Sequence, residues 1–487
     1  MLKKIFRKII NKFKNIPILN LLFILFLLPF FKLLNFKSFD NDFWFTINQG
    51  RYIIEHGFPT KAINIIHDLD FIYQSYGTGT LFYLIYNYFG NLGMIFLLLI
   101  VFELTIFFFY KLCLVVSDNK RTSAIISIIT MIMYMPMYFT TRPHVFTTLN
   151  LVIMFYLFES YLKTNKKKYL YFLPLISLLE INMHGIYLIV LLAIMSPYLI
   201  NAFKFNILGI KSDGYQKKPI IITFILMILV SFIHPYGIRT LFYGLSSYSS
   251  NSIFNNDIIE LMSLNFHNIG GKLMIFLIIL LYILYFKSKK KIPLRYYLFL
   301  LGTSYLAFDA VKSINLFLIS SMFPLAYILN PKEEKEELKM SKIYNYVHLG
   351  ITLTAAICIV ISFKGVYDSN IKGFMDYLDN NVNDKESMKL YTNYGDGSYA
   401  EYRGYYCYID PRGEVFLKSN NHKEDIYLEY HNLQKLNIDY REFLKKYDFD
   451  YLLVDDKDAL YKMLQIDNRN YVIVMEGNNH YLYKKVK

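Results

Sequence analysis

The chain has 487 residues, of which 55% are hydrophobic and only 18% are charged, and its mean hydropathy is +0.29. Soluble domains carry about a quarter charged residues and lack apolar runs of membrane-spanning length, so this composition excludes a soluble globular protein. The net charge is +14, but residues 365–487 hold 17 basic and 21 acidic residues, so the positive excess lies before residue 365. It sits in short clusters between apolar runs, which is typical of cytoplasmic loops, and we expect no nucleic-acid partner.

Apolar length and loop charge together predict a polytopic α-helical membrane protein of about eleven transmembrane helices. The N-terminus is basic and is placed in the cytoplasm. The apolar stretch after it is long and lacks a small-x-small cleavage site, so we interpret it as an uncleaved first span. With this start, every lysine cluster falls on the cytoplasmic side. The predicted spans are Ile18–Phe36, Leu92–Val116, Thr122–Phe139, Val145–Leu162, Tyr169–Ile181, Gly185–Phe203, Pro219–Ile233, Lys272–Phe286, Pro293–Phe308, Ser313–Leu329 and Ile343–Phe363.

The chain divides into two predicted domains. Residues 1–364 form the membrane domain, with a long first outer loop at residues 37–91, and residues 365–487 form a small domain that span parity places outside the cell. Short alternating runs between amphipathic stretches predict an α/β fold for the second domain. Its predicted strands are Lys389–Thr392, Tyr451–Val454 and Tyr471–Met475, and its predicted helices are Glu424–Lys435, Tyr440–Tyr447 and Asp458–Gln465.

Two carboxylates, Asp40 and Asp42, follow the first span directly and precede a predicted interfacial helix, Phe43–Glu55. One interpretation is that Asp42 caps this helix and Asp40 is solvated. The other is that one of them is a general base, since a carboxylate can remove a proton from an attacking hydroxyl. Trp44 is the only tryptophan, and we interpret it either as an interfacial anchor or as support for a site.

Further polar residues recur at the predicted outer ends of nonadjacent spans. Each has an ordinary interpretation of its own, such as a snorkelling arginine, a turn histidine or a polar contact between helices. Because they share one membrane face with two carboxylates, together they favour chemistry on a lipid headgroup, whereas a transporter concentrates polar groups near the midplane. These residues are Arg142, His144, His184, His234 and Lys312, with Glu180 and Arg239 beside them, and Arg, Lys and His can stabilise a phosphate leaving group.

Several short motifs carry a family resemblance. Residues 40–57 read D-N-D-F-W-F-T-I-N-Q-G-R-Y-I-I-E-H-G, and R-P-H-V-F, N-M-H-G, H-P-Y-G-I-R, K-S-I-N-L-F, Y-G-D-G-S-Y and Y-I-D-P-R-G-E-V-F follow along the chain. In this order they resemble a poorly characterised bacterial branch of the GT-C superfamily of membrane glycosyltransferases, which includes protein O-mannosyltransferases and aminoarabinose transferases. That branch typically shows D-x-D-x-W-W-H, and Phe45 and Thr46 stand here in place of its second Trp and its His.

The resemblance implies inverting transfer of a sugar from a polyprenyl-phosphate donor at the outer face of the bacterial cytoplasmic membrane. The acceptor would be an envelope glycan, lipid or protein, Asp40 or Asp42 would be the base, and the basic candidates would hold the phosphate or sugar. No cofactor is predicted: basic residues suffice to hold a monophosphate, and although a divalent metal is compatible with the chemistry, no Cys/His spacing indicates one.

Two other functions stay open. A glycan polymerase or ligase would favour large outer loops rich in Arg and His over an Asp pair directly after the first span. A non-enzymatic flippase or envelope assembly protein would keep its function when Asp40 and Asp42 are neutralised.

Overall fold

The computed structural model describes residues 17–207, 210–243, 252–331, 342–363, 365–467 and 469–486. Short 3-10 turns join several of the helices, at Gly185–Tyr187, Val230–Phe232, Val311–Ser313 and Gly413–Phe416. In chain order the α-helices are α1 (Ile18–Leu33), α2 (Asn41–His56), α3 (Tyr76–Ser117), α4 (Lys120–Tyr138), α5 (His144–Thr164), α6 (Lys168–Tyr171), α7 (Leu173–His184), α8 (Leu188–Ala202), α9 (Lys217–Leu229), α10 (Ser252–Asp257), α11 (Ile269–Phe286), α12 (Leu294–Asp309), α13 (Ile314–Met322), α14 (Pro324–Leu329), α15 (Lys342–Ser362), α16 (Lys372–Asn381), α17 (Gly397–Tyr402), α18 (Lys418–Asn421), α19 (Ile426–Gln434), α20 (Tyr440–Tyr447) and α21 (Ala459–Ile466).

The chain is a mostly helical membrane protein. Each predicted span coincides with one helix or with adjoining helical segments. Large apolar side chains such as Phe96 and Ile100 remain more than half exposed on these helices, as expected of surfaces that face lipid. Six helical runs within the described residues are long and apolar enough to cross a membrane, namely Tyr76–Ser117, His144–Thr164, Lys168–Ala202, Ile269–Phe286, Val311–Leu329 and Ile343–Ser362.

The longest apolar run after α5 is a hairpin that turns at His184. Near the start of the run, Tyr169 packs against Tyr156 of α5, and near its end, Tyr198 donates a hydrogen bond of 3.0 Å to Glu159 of α5. Both contacts involve the second half of α5, so α7 and α8 run in opposite directions. The turn occurs where His184 leaves helical geometry, at φ −155° and ψ 67°.

The predicted first outer loop is largely helical. It contains α2 and the first part of α3, which breaks at Gly90 with φ 58° and ψ −152°. The two helices approach so closely that a Cβ atom on Gly50 would lie 2.0 Å from the carbonyl oxygen of Gly79. This contact requires the absence of a side chain at Gly50, and it holds α2 against the first part of α3.

The C-terminal segment folds around a five-stranded sheet. The strands are β3 (Lys389–Thr392), β4 (Tyr406–Cys407), β5 (Tyr451–Asp455), β6 (Tyr471–Gly477) and β7 (His480–Lys485), while β1 (Asn206–Ile207) and β2 (Ile210–Lys211) pair separately. The order is β4-β3-β5-β7-β6, parallel among β4, β3 and β5 and antiparallel at β7 and β6. The three predicted strands are present and two more were missed, because β4 is only two residues long and β7 carries no clean alternation.

The segment between α2 and α3 extends this sheet at its β4 edge. The amide of Ile66 donates to the carbonyl of Cys407, and the amide of Cys407 donates to the carbonyl of Asn64, both at 3.0 Å. These bonds satisfy an edge that would otherwise be open. They also fix the sheet over α2, so the two parts of the chain meet through backbone pairing as well as side-chain packing.

Arg412 lies beneath this junction and is 1% exposed. Its guanidinium donates to Asp410 at 2.5 Å, to Glu401 at 2.8 Å and to the carbonyl of Ile63 at 3.2 Å. A buried charge needs such partners, because leaving it uncompensated is strongly destabilising. The D-P-R string of the sequence is therefore a structural ion-pair cluster.

Candidate active site

A cavity of about 820 Å³ lies between the ends of the membrane helices and the C-terminal segment. Its walls come from α2 and the residues before it, from residues 71–75, from the ends and turns of the membrane helices together with residues 254–261, and from residues 394–435 of the C-terminal segment. Six of the predicted site residues line it: Asp40, Asp42, Arg142, His144, His184 and Lys312.

Arg142 joins the two carboxylates. Its Nε lies 3.1 Å from Asp40 Oδ1 and 3.2 Å from Asp42 Oδ2, and its Nη1 lies 2.5 Å from Glu260 Oε1. The predicted cap on α2 is wrong. Asp40 occupies the cap position without a side-chain hydrogen bond to the helix, and Asp42 lies inside the first turn. The arginine draws both carboxylates towards the cavity instead.

Burial raises the pKa of Asp42 to about 7, against the lowering effect of Arg142 and with a further raising effect from Asp40. Burial also lowers the pKa of Arg142, but Asp42, Asp40 and Glu260 outweigh it, so the net shift is upward and the guanidinium stays charged. A carboxylate with a pKa near neutrality can both accept a proton and be ionised at working pH, which suits a general base.

Lys312 and two histidines, His144 and His184, line the part of the cavity that the ends of the membrane helices form. Lys312 Nζ lies 5.9 Å from the ring centre of Tyr187, within reach of a cation–π contact. His144 opens α5 and its Nε2 lies 3.4 Å from the Thr140 hydroxyl. Lys312, in the turn before α13, and His144, at the start of α5, thus line one cavity together with Asp40 and Asp42.

Glu180 does not line the cavity but supports it from below. It is fully buried, and it accepts hydrogen bonds from the hydroxyl of Thr147 at 2.6 Å and from the amide of Asn150 at 2.7 Å. The same Thr147 hydroxyl lies 2.8 Å from His184 Nδ1. This arrangement gives the Glu180 carboxylate polar neighbours on an adjacent helix, and it connects that carboxylate to a cavity residue.

Two predicted site residues lie elsewhere. His234 is 7% exposed and holds its own turn, since its Nδ1 contacts the Thr240 hydroxyl at 2.8 Å and accepts from the amide of Tyr236 at 3.2 Å. Arg239 is exposed outside the cavity. The H-P-Y-G-I-R motif is therefore a structural turn, because its Pro and Gly direct these side chains away from the carboxylates.

Trp44 is not an interfacial anchor. It is 1% exposed and packs edge-to-face against Tyr399 of the C-terminal segment, with ring centres 4.8 Å apart, and against Phe43 at 5.0 Å. The C-terminal segment covers this face of α2, so the ring is buried in protein. Its role is to join the two parts of the chain beside the cavity.

Several cavity residues were missed. Glu260 comes from an outer segment without a motif, and its pairing with Arg142 depends on contact across 118 positions. Glu414 is at the cavity wall, where burial raises its pKa, and Asn315 lies one turn from Lys312. Both occur inside the quoted motifs Y-I-D-P-R-G-E-V-F and K-S-I-N-L-F, which was the available signal. His431 and Lys435 complete the wall from α19 and just after it.

Among the described residues, no group of three or more His, Cys, Asp or Glu side chains is arranged to hold a metal ion. The space between the Asp40 and Asp42 carboxylates is taken by the guanidinium of Arg142. The guanidinium of Arg142 thus places a positive charge between the two carboxylates.

A second cavity of about 420 Å³ adjoins the first across Tyr394, Tyr430 and Gln434, which line both. His480 lies at its edge with Nε2 3.1 Å from Asp396 Oδ2. The hydrogen bond to Asp396 raises the pKa of His480 to about 9, so this pair is ionic at neutral pH. The start of α2 therefore has a cavity on either side, since Asn41 faces the second.

No protein-family model matches the chain, and no curated protein sequence matches it. Among solved structures, the oligosaccharyltransferase of Archaeoglobus fulgidus, in complex with Zn and sulfate, is similar over 92% of this chain and 70% of that chain. The sequence identity is 13% and the TM-score is 0.46. The assignment of an activity therefore depends on the chemistry of the cavity.

Proposed function

We propose that the chain is a membrane glycosyltransferase that moves a sugar from a polyprenyl-phosphate donor to an acceptor hydroxyl. One observation carries the proposal: the 820 Å³ cavity holds Asp42, with a pKa near neutrality, together with the cations of Arg142 and Lys312. Transfer from a sugar phosphate needs both elements in one place, a base for the acceptor and positive charge for the leaving phosphate.

In the proposed step, Asp42 removes the proton from the acceptor hydroxyl as its oxygen attacks the anomeric carbon of the donor. The bond between that carbon and the phosphate oxygen breaks, the phosphate keeps the electron pair, and the configuration of the sugar inverts. Lys312 and Arg142 stabilise the charge that develops on the phosphate. Asp42 is favoured over Asp40 because its burial keeps its pKa near the working pH.

The proposal includes the topology. Eleven spans with a cytoplasmic N-terminus, a membrane domain at residues 1–364 and an extracytoplasmic domain at residues 365–487 put the cavity at the outer face of a bacterial cytoplasmic membrane. The two ends of α5 support this orientation. His144 lies at the cavity, whereas Lys163 and the lysines at 166–168 lie at the opposite end, as the positive-inside rule expects. The acceptor would be an envelope glycan, lipid or protein.

The experiment compares lipid-linked sugars and envelope glycans by mass spectrometry in the wild type, a deletion strain and an Asp40→Asn/Asp42→Asn double variant. We expect one glycan decoration to vanish in both the deletion and the variant, at equal membrane levels of protein. Asp118→Asn is the matched control, because Asp118 is an exposed carboxylate that does not line the cavity. If the double variant restores what the deletion lost, the flippase or assembly function replaces the transferase.

A further inference from the structure

The hydrogen bonds beneath the cavity constrain the protonation of His184. Thr147 Oγ1 lies 2.6 Å from Glu180 Oε1 and 2.8 Å from His184 Nδ1, and Asn150 Nδ2 lies 2.7 Å from Glu180 Oε2. Thr147 and Glu180 are both fully buried, so no water competes for these contacts. The four side chains come from α5 and α7 and form one chain of hydrogen bonds that ends at the cavity.

The number of protons available along this hydrogen-bond chain determines which atom donates and which accepts in each contact. Each oxygen of Glu180 meets a donor, which is the pattern of an ionised carboxylate. Thr147 has one hydroxyl proton, and if it donates that proton to Glu180, it must accept from His184. His184 Nδ1 then carries the hydrogen. In a neutral ring this leaves the lone pair on Nε2, the other ring nitrogen, on the side of the cavity that His184 lines.

A neutral ring also fits its surroundings. Lys312 lines the same cavity, and a protonated His184 would add a second positive charge close to it. A lone pair on Nε2 repels the oxygens of a phosphate but accepts a hydrogen bond from a hydroxyl. Of the two ligands expected for His184, the phosphate and the sugar of the donor, the hydrogen-bond chain behind the ring therefore fits the sugar.

We propose that Nε2 of His184 accepts a hydrogen bond from a hydroxyl group of the donor sugar. Thr147 and Glu180 are positioning residues that keep this nitrogen unprotonated. This inference rests on the proposed function and deepens it: it assigns Lys312 and Arg142 to the phosphate and His184 to the sugar. The ligand it recognises is a polyhydroxylated sugar on a lipid phosphate, in preference to the lipid phosphate alone.

The test measures binding of two kinds of probe to the purified full-length protein in detergent. One probe is farnesyl phosphate, and the others are farnesyl-phosphate-linked glucose, mannose and galactose. We expect the wild type to bind at least one sugar-linked lipid more tightly than farnesyl phosphate. Thr147→Val should weaken binding of that sugar-linked lipid by roughly 3- to 10-fold, the effect of one hydrogen bond, and leave farnesyl phosphate within about 2-fold.

Matched variants separate this role from a general structural one. Thr147→Ser keeps the hydroxyl and should bind both lipids like the wild type, while His184→Ala should reproduce the selective loss of Thr147→Val. Lys312→Ala should weaken both lipids. If Thr147→Val and His184→Ala weaken the binding of both lipids equally, His184 is a phosphate contact and the inference is overturned. The inference is also overturned if the wild type binds no sugar-linked lipid more tightly than farnesyl phosphate. If the wild type binds none of the probes, the proposed function fails and the inference fails with it.

Discussion

Arg142 Nε lies 3.2 Å from Asp42 Oδ2, so a half-buried carboxylate and a guanidinium from two distant parts of the chain share one wall of the cavity. Burial alone would keep the carboxyl protonated, and the arginine opposes that effect. The contact therefore keeps the pKa of Asp42 near neutral pH, below the pKa that burial alone would give. It makes the ionisation of Asp42 depend directly on Arg142.

The pH dependence of transfer should follow Asp42. A base works when it is deprotonated, so kcat/KM should fall as the pH drops below about 7. Arg142→Gln removes a group that lowers the pKa of Asp42, so the acidic limb should move to higher pH while the plateau falls. Arg239→Gln, at an exposed arginine outside the cavity, should leave the limb in place. A limb that stays at the same pH in Arg142→Gln would show that another group titrates.

Asp42 and Asp40 should contribute unequally to the transfer rate. Asp42→Asn should lower the transfer rate by about 10²–10⁴-fold, the contribution typical of a general base. Asp40→Asn should cost less, because Asp40 holds Arg142 at 3.1 Å in our mechanism and does not take the proton. Single-turnover assays with equal amounts of folded protein measure this. A larger loss for Asp40→Asn would reverse the roles of the two residues.

Gly50 should be intolerant of a side chain. Gly50→Ala places a Cβ 2.0 Å from the carbonyl oxygen of Gly79, which is backbone and must move, so we expect a loss of about 1–3 kcal/mol in stability. The matched control is Gly302→Ala on α12, where a Cβ meets nothing within 4 Å. Thermal unfolding in detergent, followed by size-exclusion chromatography, checks both. Equal melting temperatures for the two variants would contradict the close packing of α2 on α3.

A buried ion pair at the far end of α5 should matter for folding. Arg295 is 8% exposed and donates to Glu159 with two nitrogens, each at 2.9 Å. Glu159→Ala leaves the guanidinium buried with fewer partners and should destabilise the protein by about 3–5 kcal/mol. Lys163→Ala breaks an exposed pair with Asp118 and should cost less than about 1 kcal/mol. Similar unfolding temperatures for the two variants would mean that the buried pair is weak.

Much of the secondary structure was predictable because it depends on local patterns. The predicted helix Tyr440–Tyr447 is observed with the same bounds, and the predicted strand Lys389–Thr392 is β3. Strand β4 was missed because two residues carry no period, and it exists through pairing with β3 and with the segment at Asn64. The interpretation of Trp44 as an interfacial anchor failed for a related reason: nothing near it in sequence shows that Tyr399 covers it.

The sequence by itself determined that this is a helical membrane protein with polar residues at the ends of its spans, since apolar runs and the charge between them are local properties. Only the tertiary structure decided which of those polar residues meet. Arg142 reaches Asp40 across 102 positions and Glu260 across 118, while His234 turns away within a few residues of its own turn. Burial, pairing and the resulting pKa of Asp42 arise from contacts between distant segments, and no local pattern encodes them.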